Sequence, residues 1–235
     1  MLIGCMMQLC SHFAGGIMTI TQSNLNHHVE RIFGALIQCG WFIYQGASLA
    51  LAIDRALMFV TKASERITSI TCWTMMIVSF LMGLLYFVVL LLPGFGFVFK
   101  LYYEWFYSDE RGSSVMLSVE IVLDFSILAA ILLLYIVVFT AILRTRRTVD
   151  AGSGTEVRIL IIAFASFFYE CTYLLFFFWG ARLIENEIVS SSIVTILWIV
   201  DDGFFSLSTL VVDPQENLLN YLEKRKDYNS GYDKD

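Results

Sequence analysis

Between Ile70 and Leu92 the chain carries no charged residue, and it then meets Pro93-Gly94. A run of that length coils into a helix of about 35 Å, enough to cross the roughly 30 Å hydrocarbon core of a bilayer. The Pro-Gly pair ends it, because proline and glycine are the strongest local breakers of a helical pattern. Comparable apolar runs occupy about 2–20, 32–60, 119–143, 157–181 and 188–212, so six spans separated by short polar loops are expected. With 58% hydrophobic and 15% charged residues, the chain departs from a soluble domain, which carries roughly a quarter charged residues. Lipid offers no partners to backbone polar groups, and the alternation of a membrane barrel is absent. The expected fold is therefore all-α: one polytopic transmembrane helix bundle over 1–212, anchored in the lipid bilayer. The first run is its marginal member, interrupted by Gln8, His12 and Gly15-Gly16 and lacking the basic start of a signal peptide.

The loops give orientation. Thr21 to Arg31 and Thr61 to Thr68 read as polar loops, and 94–118 as a longer segment whose aromatic residues suit the headgroup level. Basic residues concentrate in the 61–68 loop, the 144–158 loop and the tail, and they thin out in the alternating loops. By the positive-inside rule the enriched loops and the C-terminus face the cytoplasm. After the last span, Asp213-Pro214-Gln215-Glu216 has the pattern of a helix start, and Leu218, Leu219 and Leu222 give one apolar side. A short amphipathic surface helix is expected over 213–226, followed by a disordered cytoplasmic tail at 227–235. Cys5, Cys10, Cys39, Cys72 and Cys171 all lie in apolar stretches and read as small packing residues, with no disulfide framework.

Asp54 and Arg55 stand at the cytoplasmic end of the second span. Gly40, Ala47 and Ala50 recur at helical spacing on the face carrying Asp54, which suits a central helix approached closely by its neighbours. Taken alone, the charged pair marks a membrane-water boundary.

The segment Ala52-Ile-Asp-Arg-Ala56, the basic loop at 144–158, Asp213-Pro214 closing the last span and the following surface helix come in an order that resembles the rhodopsin-like G-protein-coupled receptors. Leu51-Ala-Ile-Asp-Arg55, Glu156-Val-Arg158 and Trp198 followed by Asp202-Gly203 look most like the nematode serpentine chemoreceptors of the class-x group. The resemblance implies a seven-helix receptor of which six spans are visible, truncated at the N-terminus, in the plasma membrane. It also implies that Arg55 engages a heterotrimeric G protein, that Asp54 holds Arg55 at rest, and that Glu156 latches it across the bundle. Three features of that superfamily are missing: the outer-loop cysteine, a proline in the penultimate helix, and a tyrosine after Asp213-Pro214.

Inside the expected bundle, Glu120 and Asp124 lie four apart on one helical face, Glu170 sits mid-span, and Asp201-Asp202 fall in the middle of the last span. A central acid costs about 2.5 to 3.5 kcal/mol on insertion scales, so such residues face a cavity or a partner. Apart from Arg158 at the cytoplasmic entry of its span, no Lys, Arg or His lies in these three spans, so the acids are expected to be protonated, hydrogen-bonded or facing a cation. One reading is an outward pocket for a small molecule with a cationic or donor group, with Tyr169, Tyr173 and Trp198 as walls; the other is interhelical hydrogen bonding of neutral acids, with Glu120 at the headgroup level. The run at 176–179 reads as a lipid-facing or packing surface.

His27-His28 with Glu30 is too sparse for a metal site, and no cofactor is expected. Leu123-Asp124-Phe125 and Asp201-Asp202-Gly203 lack the patterns of intramembrane aspartyl proteases, and Gly152-Ser-Gly154 lacks a hydrolase context, so no enzyme and no catalytic residue is expected. No phosphate-binding loop or nucleic-acid patch stands out. A chemosensory receptor is the leading expectation. A proton- or cation-coupled transporter using the buried acids is the alternative, disfavoured because the two halves show no repeat.

Overall fold

The computed structural model describes residues 1–24, 26–61, 64–100, 104–146 and 154–203; the surface helix and tail expected at 213–226 and 227–235 lie outside them. Among the described residues helix dominates, at 85%, as α1 (Leu2–Thr21), α2 (His27–Ala56), α3 (Glu65–Leu91), α4 (Arg111–Arg146), α5 (Gly154–Phe178) and α6 (187–203). Between α3 and α4 two short strands, β1 (Phe97–Lys100) and β2 (Glu104–Tyr107), pair antiparallel.

The first run is an uninterrupted helix. Gly4, Gln8, Ser11, His12 and Gly15 are all buried and recur at intervals of three and four, so its polar residues form the inward face. Its outward face carries Ile3, Phe13 and Ile20, each more than two-thirds exposed. A β-carbon on Gly4 would lie 2.7 Å from the Gly40 carbonyl oxygen, which shows how closely α1 and α2 approach. Gln22, at φ 50, ends α1 in the left-handed conformation while the Ser23 amide reaches back to the Met18 carbonyl at 3.2 Å.

α2 begins at His27, earlier than the expected 32, because the Asn26 side chain caps it by accepting from the His28 amide at 2.9 Å. Glu30 and Arg31 are therefore helical and directed inward. The Arg31 Nη2 donates to the carbonyls of Leu90, Leu92 and Phe95 at 3.0, 2.7 and 2.6 Å, satisfying the C-terminus of α3 where Pro93-Gly94 breaks it. α2 is the centre of the bundle: 78% of its most apolar window is buried, against 22% to 44% for the corresponding windows of α1, α3 and α4.

The 94–118 segment is more structured than expected. The hairpin pairs Phe97 with Tyr107 and Phe99 with Trp105, turning all four rings onto the helices, where they are buried. The Glu30 carboxylate accepts from the Phe99 amide at 3.0 Å and from Asn24 at 2.9 Å, fastening the hairpin to α2. Gly34 makes that contact possible, since a β-carbon there would collide with the Phe97 carbonyl. α4 then starts at Arg111, eight residues before the expected 119.

Large apolar residues such as Trp73, Leu81, Val122 and Leu133 point outward at more than half exposure, and among the described residues four helices are long and apolar enough to cross a membrane. These features are those of a mostly helical, membrane-associated protein. The hairpin, the start of α2 and the start of α4 share one end of the bundle; Asp54-Arg55, the start of α3 and the start of α5 share the other.

Candidate functional site

The bundle interior is polar where a lipid-embedded helix pair would be expected to be apolar. α2 presents Gln38, Trp41, Tyr44 and Gln45 at helical spacing, all buried. Glu120 and Asp124 of α4 face them: Gln38 Nε2 donates to Glu120 Oε2 at 3.3 Å, and Trp41 Nε1 donates to Asp124 Oδ1 at 3.2 Å. Glu120, 3% exposed, is thus held inside the bundle. From the hairpin, the Tyr107 hydroxyl faces the same carboxyl. Burial together with the Glu120 charge holds that phenol well above its ordinary value, so it stays protonated.

The aromatic residues form the other half of the site. Trp41, Tyr173 and Trp198 make mutual ring contacts at 5.9 to 6.0 Å. The Trp198 indole N–H donates to Gln8 Oε1 at 2.6 Å, and its ring meets His12 edge-on at 5.2 Å. Asp201 lies within electrostatic range of Glu170, and both Asp201 and Asp202 lie within range of Tyr44 and Tyr173. The five acids from α4, α5 and α6 therefore converge on one aromatic cluster, each 4% exposed or less.

The Tyr169 hydroxyl donates to the Leu197 carbonyl at 2.8 Å and ties α5 to α6. Of the run at 176–179, Phe177 and Phe178 are packed inside and Trp179 is half-exposed. Gln8, His12, Gln38 and Gln45 belong to the site although hydropathy gave no reason to choose them. The signal that could have found them is the helical spacing of polar residues within apolar runs.

The chemistry open to this cluster is hydrogen bonding and cation or proton binding. Glu170 Oε1 and Asp201 Oδ2 are buried without a hydrogen-bond partner among the described residues. Among the described residues no three His, Cys, Asp or Glu side chains are grouped to hold a metal ion. Glu30, with His27 and His28 nearby, is engaged by the hairpin instead.

At the opposite end, Arg55 Nε lies 4.0 Å from Asp54 Oδ2, with both side chains about a quarter exposed. The Cys72 thiol approaches Asp54 Oδ1 at 3.7 Å from α3, and Tyr135 of α4 is within electrostatic range of Arg55. Below the pair, α2 loosens into a π-helical turn over Leu57–Thr61. Glu156 falls in the first turn of α5, at this same end of the bundle.

Comparison with protein-family models, curated proteins and solved structures gives no match for this chain.

Proposed function

We propose that this membrane protein is a chemosensory receptor of the G-protein-coupled kind, binding a small molecule on the hairpin side and signalling through Arg55 to a heterotrimeric G protein on the cytoplasmic side of the plasma membrane. The observation that carries the reading is the course of α2. This most buried helix holds the acid and aromatic cluster with Gln38 and Trp41 and ends on Asp54-Arg55, fourteen residues or about 21 Å further along. A shift of this one helix would reach both ends, which is one way coupling between two sites is carried. The Arg55 to Asp54 contact is long and partly exposed, so it restrains Arg55 weakly and leaves it available to a partner. Glu156 is proposed as the second anionic partner of Arg55. Arg55→Ala is expected to abolish agonist-driven nucleotide exchange with surface expression intact; a full response in that variant rejects the assignment.

One observation favours a second reading, a proton- or cation-coupled transporter. Glu170 and Asp201 each keep a buried carboxyl oxygen without a hydrogen-bond partner among the described residues, a costly arrangement that a bound cation or proton would relieve. Proton-coupled uptake into vesicles, lost with Glu170→Gln, would establish it.

A further inference from the structure

A concavity of 530 Å³ opens at the hairpin end, and none of the five buried acids lines it. That is within the roughly 300 to 1,000 Å³ of small-molecule pockets. One wall is the outward face of the hairpin, where Lys100, Glu104 and Phe106 project opposite to the rings that face the helices. The facing wall is the link from α5 to α6 with Glu185, together with Glu187 and Ser191 of the first turns of α6. The floor is Phe177 and Phe178.

Charge and aromatic surface select the occupant. Three carboxylates line the concavity against Lys100, the one cation among its described lining residues. Lys100 is already engaged: it pairs across the hairpin with Glu104, and its ammonium lies 4.5 Å over the Phe106 ring. Glu104 accepts from Ser191 but also feels the like charge of Glu187. Burial and that repulsion raise the Glu104 carboxyl above its ordinary value, a cost that a cation placed between the two glutamates relieves.

We propose that this concavity binds a small organic cation of the arylalkylammonium class, with the ammonium between Glu104 and Glu187 and the apolar body against Phe177 and Phe178. An anion is repelled by the lining, and a polar neutral molecule leaves the aromatic floor unused. The floor carries the contact inward, since Phe177 lies 6.0 Å from both Trp198 and Tyr173. The proposal deepens the receptor reading by naming a ligand class; it rests on that reading for the consequence of binding and not for binding itself.

Titration calorimetry on the full chain in lipid nanodiscs tests it, with phenethylammonium as probe and 3-phenylpropionate as the anionic control. Saturable binding of the amine is expected, with no binding of the carboxylate. Glu104→Gln with Glu187→Gln is expected to weaken the amine at least tenfold, and Glu187→Lys, at an exposed position, to weaken it likewise. Asp109→Asn, at an exposed carboxylate outside the lining, is expected to leave it within twofold. No saturable amine binding, or unchanged binding in both glutamate variants, overturns the proposal. Binding without any nucleotide exchange would sink the receptor reading and leave this site standing.

Discussion

Trp41 of α2 donates its indole N–H to Asp124 of α4 across 3.2 Å, with both side chains buried. This bond joins the central helix to the acid-bearing one at the middle of the bundle. Hydrogen bonds between membrane helices contribute about 0.6 kcal/mol on average and reach about 1.7. A double-mutant cycle with Trp41→Phe and Asp124→Leu, followed by thermal unfolding in detergent, is expected to give a coupling in that range. Additive effects would show the contact to be energetically idle.

Close packing makes some glycines irreplaceable and others neutral. A β-carbon at Gly34 meets the Phe97 backbone, which cannot rotate away as a side chain can, whereas at Gly16 nothing lies within 4 Å. Overpacking of this kind costs about 1 to 3 kcal/mol. Gly34→Ala is expected to lower the melting temperature and loosen the hairpin, read as faster amide exchange at Phe99, while Gly16→Ala leaves both unchanged or slightly raised.

Glu104 links stability to pH. Its carboxyl is raised above its ordinary value of 4.5, with burial as the main cause; Glu187 adds to the rise, while the Ser191 hydrogen bond and Lys100 oppose it. The folded state therefore binds this proton more tightly than the unfolded state. Stability falls as pH rises from the unfolded value through the folded one, and it is level again above. The melting temperature of wild type minus that of Glu104→Gln should decline over that interval. A rising difference would contradict the burial of this side chain.

How much of this was readable beforehand depends on what each residue faces. The break at Pro93-Gly94 was legible because it is local chemistry: α3 stops at Leu91, and Gly94 takes φ 81. The four-residue spacing of Glu120 and Asp124 likewise put both on one face, and both reach α2. α1 was harder, since averaging hydropathy counts Gln8, Ser11 and His12 as interruptions when they form the buried side of an inside-out helix. Glu30 and Arg31 looked like loop charges because their partners, the Phe99 amide and the carbonyls around Leu92, lie some sixty to seventy residues away and are backbone groups that no motif announces. The hairpin was hidden because its alternating aromatics are equally at home at a headgroup surface. His12 beside Trp198 joins the two ends of the described chain, a contact invisible without the fold.

The central claim is that ligand binding on the hairpin side is coupled along α2 to Arg55, and a single vesicle preparation tests it. The chain is reconstituted with a heterotrimeric G protein, and nucleotide exchange and internal pH are followed together on adding phenethylammonium. The account predicts exchange that is lost with Arg55→Ala, without proton flux. Proton flux that disappears in Glu170→Gln, with no exchange at all, would contradict it.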